Sequence, residues 1–143
     1  MKICRLGLLM MIILLLGGCA VFQKVGPAEM IIHDGHKDLV SSIKQQIEDT
    51  DEIYDTVVIA AKDKILVTYK VRHLNRFKMK SIEKKLTTWL KDEFPDKDVD
   101  VSSDFKIFLE SYNLYEQWEK KELTGQEAEK KLYEIIHLKN EMT

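Results

Sequence analysis

A cysteine that follows a short apolar run is the residue in this chain best placed to do chemistry. Cys19 comes directly after Leu16, Gly17 and Gly18. A peptidase needs small side chains beside the bond that it cuts, and cleavage before a cysteine leaves a thiol on the new first residue, where it can be acylated. The uncharged residues 6–16 match the apolar part of a signal peptide, and they are too few to span a membrane, which takes about 20 residues. The spacing therefore predicts cleavage directly before Cys19.

The segment before the cysteine also carries the charge pattern of an export signal. Lys2 and Arg5 are positive, and the four residues from Leu16 to Cys19 resemble the bacterial lipobox, which is leucine, two small residues and cysteine. The resemblance implies that Cys19 is diacylated through its sulfur, as a diacylglyceryl or palmitate-type anchor, and becomes the first mature residue. Residues 1–18 are then a lipoprotein signal peptide. The alternative is an ordinary secretory signal in which Cys19 is incidental.

The segment that follows Cys19 is predicted to connect the lipid to a folded domain. Residues 19–33 are interpreted as the lipidated cysteine and a tether, although the apolar content of this stretch is high for a linker. We expect the protein on the extracytoplasmic face of the cell membrane, with the membrane itself as the partner of Cys19.

The length and charge of the chain limit the size of the mature domain and the partners that it can bind. Cleavage before Cys19 leaves 125 of the 143 residues, which suits one domain with a hydrophobic core. Of 22 basic residues, Lys2 and Arg5 are removed, so 20 remain against 24 acidic ones and the net charge is near −4. A mildly acidic protein is a poor candidate for non-specific nucleic-acid binding and gains little from anionic headgroups. We therefore expect the lipid to supply the membrane affinity, and no nucleic-acid partner.

The positions of the cysteines exclude several kinds of chemistry. Cys4 lies in the segment that is removed, and Cys19 is the predicted lipid site. The remaining domain is expected to have no disulfide, no thiolate metal ligand and no cysteine nucleophile, and to rely on its hydrophobic core.

Hydrophobic periodicity predicts an α+β domain over residues 34–114. Apolar residues at helical spacing predict two helices, and alternating apolar and polar residues predict three strands, of which the first two form a hairpin. The predicted elements are helix 34–50, strands 54–61 and 65–72, helix 77–93 and strand 98–102. The fold class is a small α-β-β-α-β domain with a three-stranded sheet, two helices on one face, and C-terminal helices.

Two further helices are predicted after the last strand. Ser103 or Asp104 is the expected N-cap of the first, and Thr124 with Glu127 fits a capping box for the second. Residues 115–143 are interpreted as a C-terminal helical extension. It either packs on the edge of the sheet or extends as a helical hairpin that meets an envelope protein partner.

Metal-ligand residue types cluster near the predicted start of the first helix. The members are His33, Asp34, His36 and Asp38. Their spacing lacks the paired histidines of a helical zinc site, so a solvated helix start is favoured over a metal site. The sequence also lacks a nucleophile-elbow motif, a glycine-rich phosphate loop and paired carboxylates in an apolar run. We predict no metal, no cofactor and no enzymatic activity.

Aromatic residues line the first C-terminal helix. Tyr112, Tyr115 and Trp118 lie close to Lys120 and Lys121, a composition that could stack on nucleic acid. Interleaved glutamates cancel the positive field; they are Glu110, Glu116, Glu119 and Glu122. Core or interface aromatics are therefore the favoured interpretation.

Three segments of the domain resemble the sporulation lipoproteins of endospore-forming bacteria (the YhcN/YlaJ-like family). They are the paired strands 56–61 and 65–69, the amphipathic helix that ends at Phe94-Pro95, and residues 99–104, which are similar to the family's V-x-V-S-x-D segment. The match covers about residues 39–114. The chain departs from the family pattern at residues 51–54 and at Asp104-Phe105, where the family often has Asp-Pro. The resemblance implies an envelope protein made during spore formation, acting in the spore membrane or in germination, and it implies no catalytic residue.

These observations favour a lipid-anchored, non-enzymatic lipoprotein with a structural or interaction role in the spore membrane or envelope. The alternative is an envelope lipoprotein that binds phospholipid or peptidoglycan through the sheet or the aromatic C-terminal helix. Small envelope domains of the BON type have a similar order of elements. A hydrolase with dispersed carboxylates is the least favoured alternative.

Overall fold

A mixed four-stranded sheet lies at the centre of the computed structural model, which describes residues 27–33 and 35–142. The strands are β1 (Ala28–Ile31), β2 (Ile53–Ala61), β3 (Lys64–Val71) and β4 (Asp98–Ser102), and they lie in this order across the sheet. β1 is parallel to β2, β2 is antiparallel to β3, and β3 is parallel to β4. The helices of the described residues are α1 (Lys37–Glu48), α2 (Met79–Glu93), α3 (Phe105–Glu119) and α4 (Gly125–Glu141), with a 3-10 helix at His73–Lys78.

The α+β class and the β2–β3 hairpin are confirmed, and the prediction of a three-stranded sheet is wrong. The additional strand is β1, which lies within the segment predicted as a tether. Its four residues are too few to show alternation, and its hydrogen-bond partners come from β2, where Ala28 lies opposite Val57. The pairing continues past the strand, because the Ile32 N–H donates to the Ala60 carbonyl. Long-range pairing, rather than local pattern, therefore determines this strand.

Both faces of the sheet are covered by helices. α1 and α2 pack on one face, as predicted, and bury Ile43, Leu86 and Leu90 against the β2–β3 hairpin. α3 and α4 pack on the opposite face and bury Phe108 and Leu132 with residues of β1, β2 and β3. The C-terminal helices thus complete the core, and the boundary predicted after residue 114 falls inside α3.

Local signals define where the helices begin and end. The Asp104 carboxylate accepts from the backbone N–H groups of Lys106 and Ile107, so Asp104 is the N-cap of α3. Thr124 and Glu127 form the predicted capping box of α4. The first helix begins at Lys37, later than predicted, and Asp34 lies outside the described residues.

Candidate functional site

The predicted lipidation site, Cys19, lies outside the described residues. The first strand that follows it in the chain, β1, lies within them. β1 begins at Ala28, nine residues after Cys19. β1 runs parallel to β2 and its first residue lies opposite Val57, in the middle of β2, so the chain approaches β1 from the side of the sheet on which β2 begins. β3 is antiparallel to β2 and pairs Val71 with Ile53, so β3 finishes at this same end.

Four exposed apolar side chains gather at this end of the sheet. Leu74 and Phe77, on the 3-10 helix that follows β3, are 85% and 80% exposed. Phe105 begins α3, which follows the end of β4, and is 61% exposed. Tyr54 lies at the start of β2. We call these four residues, together with Arg72, Arg76, Lys78 and Lys80, the aromatic–basic end.

A β-bulge turns Tyr54 toward this surface. The register of β2 against β3 shifts between Ile53, which pairs with Val71, and Asp55, which pairs with Lys70. Tyr54 is the extra residue, and a bulge of this kind redirects a side chain at the margin of a sheet. Ile53 is buried in the core while its neighbour Tyr54 is exposed.

The 3-10 helix holds Leu74 and Phe77 outside the core. None of its residues is buried, and its N-cap residue, Arg72, makes no side-chain capping bond. The segment is held at its base, where the Arg72 N–H donates to the Glu52 carbonyl and Arg72 Nε donates to the Asp51 carbonyl. Tyr54, Val71 and residues 72–76 line a cavity of about 570 Å³ beside it. Exposed apolar side chains are ordinary when they stand alone, and they mark an interaction site when several form one patch.

The charge of the segment that carries these residues is strongly positive. Residues 70–80 contain five basic residues and no acidic residue, although the full chain has a net charge of −2. Lys78 Nζ forms an ion pair with Glu52 at 3.0 Å, and this hydrogen bond lowers the pKa of Glu52. Arg76 and Lys80 make no ion pair with any of the described residues. Carboxylates also lie at this end of the sheet, where Asp55 and Glu52 pair with Lys70 and Lys78 and where Asp51 and Asp104 are exposed, so the excess of positive charge comes from the segment 70–80 alone.

Lys70 links the aromatic–basic end to the face of the sheet that α3 and α4 cover. Its ammonium lies 4.1 Å from the centre of the Phe108 ring, 5.8 Å from that of Phe105 and 5.9 Å from that of Tyr54. It also pairs with the Asp55 carboxylate at 3.0 Å. An aromatic group around a cation is a known mode of ammonium recognition, but here a lysine of the chain itself occupies it. This cluster therefore positions Tyr54 and Phe105.

Three of the four residues grouped at the predicted helix start, His33, His36 and Asp38, lie within the described residues, and Asp34 does not. Within residues 27–33 and 35–142, no group of three or more His, Cys, Asp or Glu side chains is arranged to hold a metal ion. His33 Nε2 lies 3.5 Å from a Glu129 carboxylate oxygen at the far end of the sheet. Burial lowers the pKa of His36, and Lys97 and His33 act in the same direction.

The aromatic residues predicted on the first C-terminal helix divide between the core and the surface. Tyr115 and Trp118 pack against the core formed with α4, whereas Tyr112 is partly exposed and stacks on Phe108. Burial raises the pKa of Tyr115, and the Glu119 carboxylate acts in the same direction. The prediction of an envelope protein partner on these helices stays a prediction.

Sequence reasoning overlooked the aromatic–basic end, although one signal was present. The run from Lys70 to Lys80 places Leu74 and Phe77 among basic residues, a pattern that periodicity assigned to the end of a strand and the start of a helix. The participation of Tyr54 and Phe105 has no local signal, because sheet register brings them there.

No family model, curated protein or solved structure matches this chain. In the part of the chain that the structure describes, none of the helices combines the length and the apolar character needed to span a bilayer.

Proposed function

We propose that this protein is a lipid-anchored, non-enzymatic lipoprotein of the bacterial cell envelope, held on the extracytoplasmic face by a diacylglyceryl group on Cys19. The observation that carries the proposal is the lipobox-like sequence from Leu16 to Cys19, after a positively charged and then apolar leader. Each buried methylene contributes about 0.8 kcal/mol to membrane binding, and two acyl chains give a stable anchor where one does not.

The short connection to the fold supports a role close to the membrane. The nine residue steps from Cys19 to Ala28 reach at most about 30 Å when fully extended. An anchor with this reach keeps the domain beside the bilayer, which suits a structural or interaction role at its surface. The resemblance to sporulation lipoproteins makes the spore membrane or envelope, or germination, the setting that we propose.

The mass of the native protein tests the anchor. Mature protein isolated from membranes is expected to begin at Cys19 and to carry the mass of a diacylglyceryl group. Cys19→Ser is expected to abolish this modification and to move the protein out of the membrane fraction. Cys4→Ser is the matched control, because Cys4 lies in the removed segment and its loss leaves the mature mass unchanged. An unmodified sulfur on the first retained residue, or a mature chain that still carries Met1, would reject the proposal.

The proposed role in spores or germination is tested separately from the lipid anchor. Transcription confined to sporulation, with altered spore membranes or germination in a deletion strain, is the expected result. Transcription confined to vegetative growth would reject the role in spores and leave the lipid anchor unaffected.

A further inference from the structure

We propose that the aromatic–basic end is a membrane-docking surface that lies against anionic phospholipid headgroups of the bilayer holding Cys19. The inference rests on the proposed lipid anchor and adds an orientation to it: one defined end of the fold faces the bilayer. The occupant of the surface is the lipid itself rather than a second protein.

The apolar part of this surface is suited to the headgroup region. A single exposed leucine or phenylalanine is ordinary in a soluble domain. Here Leu74 and Phe77 are 85% and 80% exposed on a turn with no buried residue, and Tyr54 and Phe105 lie at the same end of the sheet. Apolar and aromatic side chains that project together from a polar surface enter the boundary between headgroups and acyl chains.

The charge around these side chains complements an anionic membrane. Five basic residues and no acidic residue occur between positions 70 and 80, and they flank Leu74 and Phe77 on both sides. Lys70 and Lys78 are paired with carboxylates of β2 and the loop before it. Arg76 and Lys80 are exposed and remain for lipid phosphates, and Arg72 is exposed but donates through Nε to the Asp51 carbonyl. Basic residues around an apolar turn are the composition of a surface that binds anionic lipids.

The position of the tether favours the same orientation. The chain from Cys19 approaches β1 from the side of the sheet on which β2 begins and β3 leads into the 3-10 helix, although Ala28 itself lies level with Val57 and Thr68 in the middle of the sheet. β3 is two strand spacings from β1, which is about 10 Å, and its last residue, Val71, lies about 10 Å further along the strands than Ala28, whereas the tether reaches at most about 30 Å. The anchor therefore holds this end within reach of the bilayer without passing over the rest of the domain.

The opposite end of the sheet has a different chemistry. Its charges have both signs and pair with each other: Lys62 lies 3.3 Å from a Glu129 carboxylate oxygen, and Lys64 pairs with Asp98. Tyr133, beside Lys64, is a partly exposed aromatic residue of this end. A paired, mixed-charge surface gains little from an anionic membrane.

A polarity-sensitive fluorophore on the full lipidated protein tests the orientation in vesicles of phosphatidylglycerol and phosphatidylcholine. Cys19 is blocked by its lipid and no cysteine follows it, so Leu74→Cys provides one reactive thiol. Tyr133→Cys is the matched control, because Tyr133 is 41% exposed and lies at the opposite end. Emission from the label at position 74 is expected to shift to shorter wavelength and to rise several-fold on vesicles, and emission from position 133 is expected to stay unchanged.

The outcomes separate this inference from the proposed anchor. A label at position 74 that stays in an aqueous environment, on protein that sediments with the vesicles, overturns the docking surface and leaves the anchor standing. Protein that does not sediment overturns the anchor itself. An emission change that grows with protein concentration in the absence of vesicles identifies a second copy as the occupant and overturns the lipid assignment.

Charge reversal tests the electrostatic part. Arg76→Glu with Lys80→Glu, in the Leu74→Cys background, is expected to reduce the emission change, as is the replacement of phosphatidylglycerol by phosphatidylcholine. Lys91→Glu with Lys130→Glu alters the net charge equally at exposed positions away from this end, and is expected to have little effect. Equal effects of the two pairs would overturn a local docking surface.

Discussion

Lys70 Nζ lies 4.1 Å from the centre of the Phe108 ring, so a cation on strand β3 contacts an aromatic side chain of helix α3. The same ammonium is 3.0 Å from an Asp55 carboxylate oxygen on β2, and both charged side chains are largely shielded from solvent. Three elements of the fold therefore meet at one charge. This contact holds the beginning of α3, with Phe105, next to the bulge that carries Tyr54.

Lys70→Met is expected to lower the free energy of unfolding by about 1–3 kcal/mol. The substitution removes the cation–π contact and leaves the Asp55 carboxylate without its partner in a partly buried position. Urea denaturation of the mature chain with Cys19→Ser measures this change. Lys70→Arg is expected to retain most of the stability. Lys130→Met breaks an exposed ion pair and should change the free energy by less than about 0.5 kcal/mol; an equal loss in both would contradict the argument.

Tyr69→Phe is expected to destabilise the fold by about 1 kcal/mol at neutral pH. The Tyr69 hydroxyl donates to the Met79 carbonyl at 3.1 Å, and the side chain is fully buried between β3 and α2. Removal of the hydroxyl leaves the Met79 carbonyl without this donor and changes the packing little. Thermal and urea denaturation measure the difference, and an unchanged midpoint would show that the hydrogen bond contributes nothing.

The same tyrosine predicts a loss of stability at alkaline pH. Burial raises the pKa of Tyr69 above its ordinary value, and the Glu83 carboxylate acts in the same direction. The unfolded chain ionises near the ordinary pKa of about 10, so the unfolded state binds fewer protons than the folded state above this pH. The free energy of unfolding should therefore fall as the pH rises above about 10, and fall less steeply in Tyr69→Phe. Parallel pH profiles of the two proteins would contradict this.

Leu132→Ala is expected to lower the free energy of unfolding by about 2–5 kcal/mol, because α4 is part of the core rather than an extension. Leu132 is fully buried, whereas the adjacent Tyr133 is 41% exposed on the same helix. Tyr133→Ala is the matched control and should have a much smaller effect. Equal and small losses would show that the C-terminal helices fold apart from the sheet.

The capping box of α4 predicts a specific effect of acid. The Thr124 N–H and hydroxyl donate to the Glu127 carboxylate, and these hydrogen bonds lower the pKa of Glu127. A carboxyl whose pKa is lower in the folded state contributes stability above its ordinary pKa, and this contribution is lost as the pH falls through the folded value. Thr124→Val removes the hydroxyl donor and keeps the backbone donor, so the pKa should rise part of the way to the ordinary value. An NMR titration of Glu127 checks this, and an identical pKa in both proteins would contradict it.

The elements that have strong local signals in the sequence were predicted correctly. β3 places Ile65, Val67 and Tyr69 in one core, as their alternation predicts, since side chains of a strand point to opposite faces in turn. The caps at Asp104 and Thr124 were also predictable, because each involves residues no more than three positions apart.

Elements without local signals depended on the rest of the fold. β1 is too short to show a period, and it forms a strand because β2 offers an edge for it to pair with. The two helices predicted after the last strand, which are α3 and α4 of the structure, have apolar faces that could have met a partner or the edge of the sheet. They cover the second face of the sheet instead, since Val57, Ile59 and Leu66 would otherwise be exposed to water.

The sequence by itself determined the proposed site of lipid attachment, because the residues from Leu16 to Cys19 are contiguous and their chemistry needs no fold. Only the tertiary structure decided which surface of the domain lies toward the proposed lipid site. Tyr54, Leu74 and Phe105 are spread over about fifty positions of the chain, and the register of the strands brings them to the end of the sheet that faces the approaching tether. A pattern of neighbours along a chain records local propensity, whereas proximity across a sheet is set by the packing of the whole core.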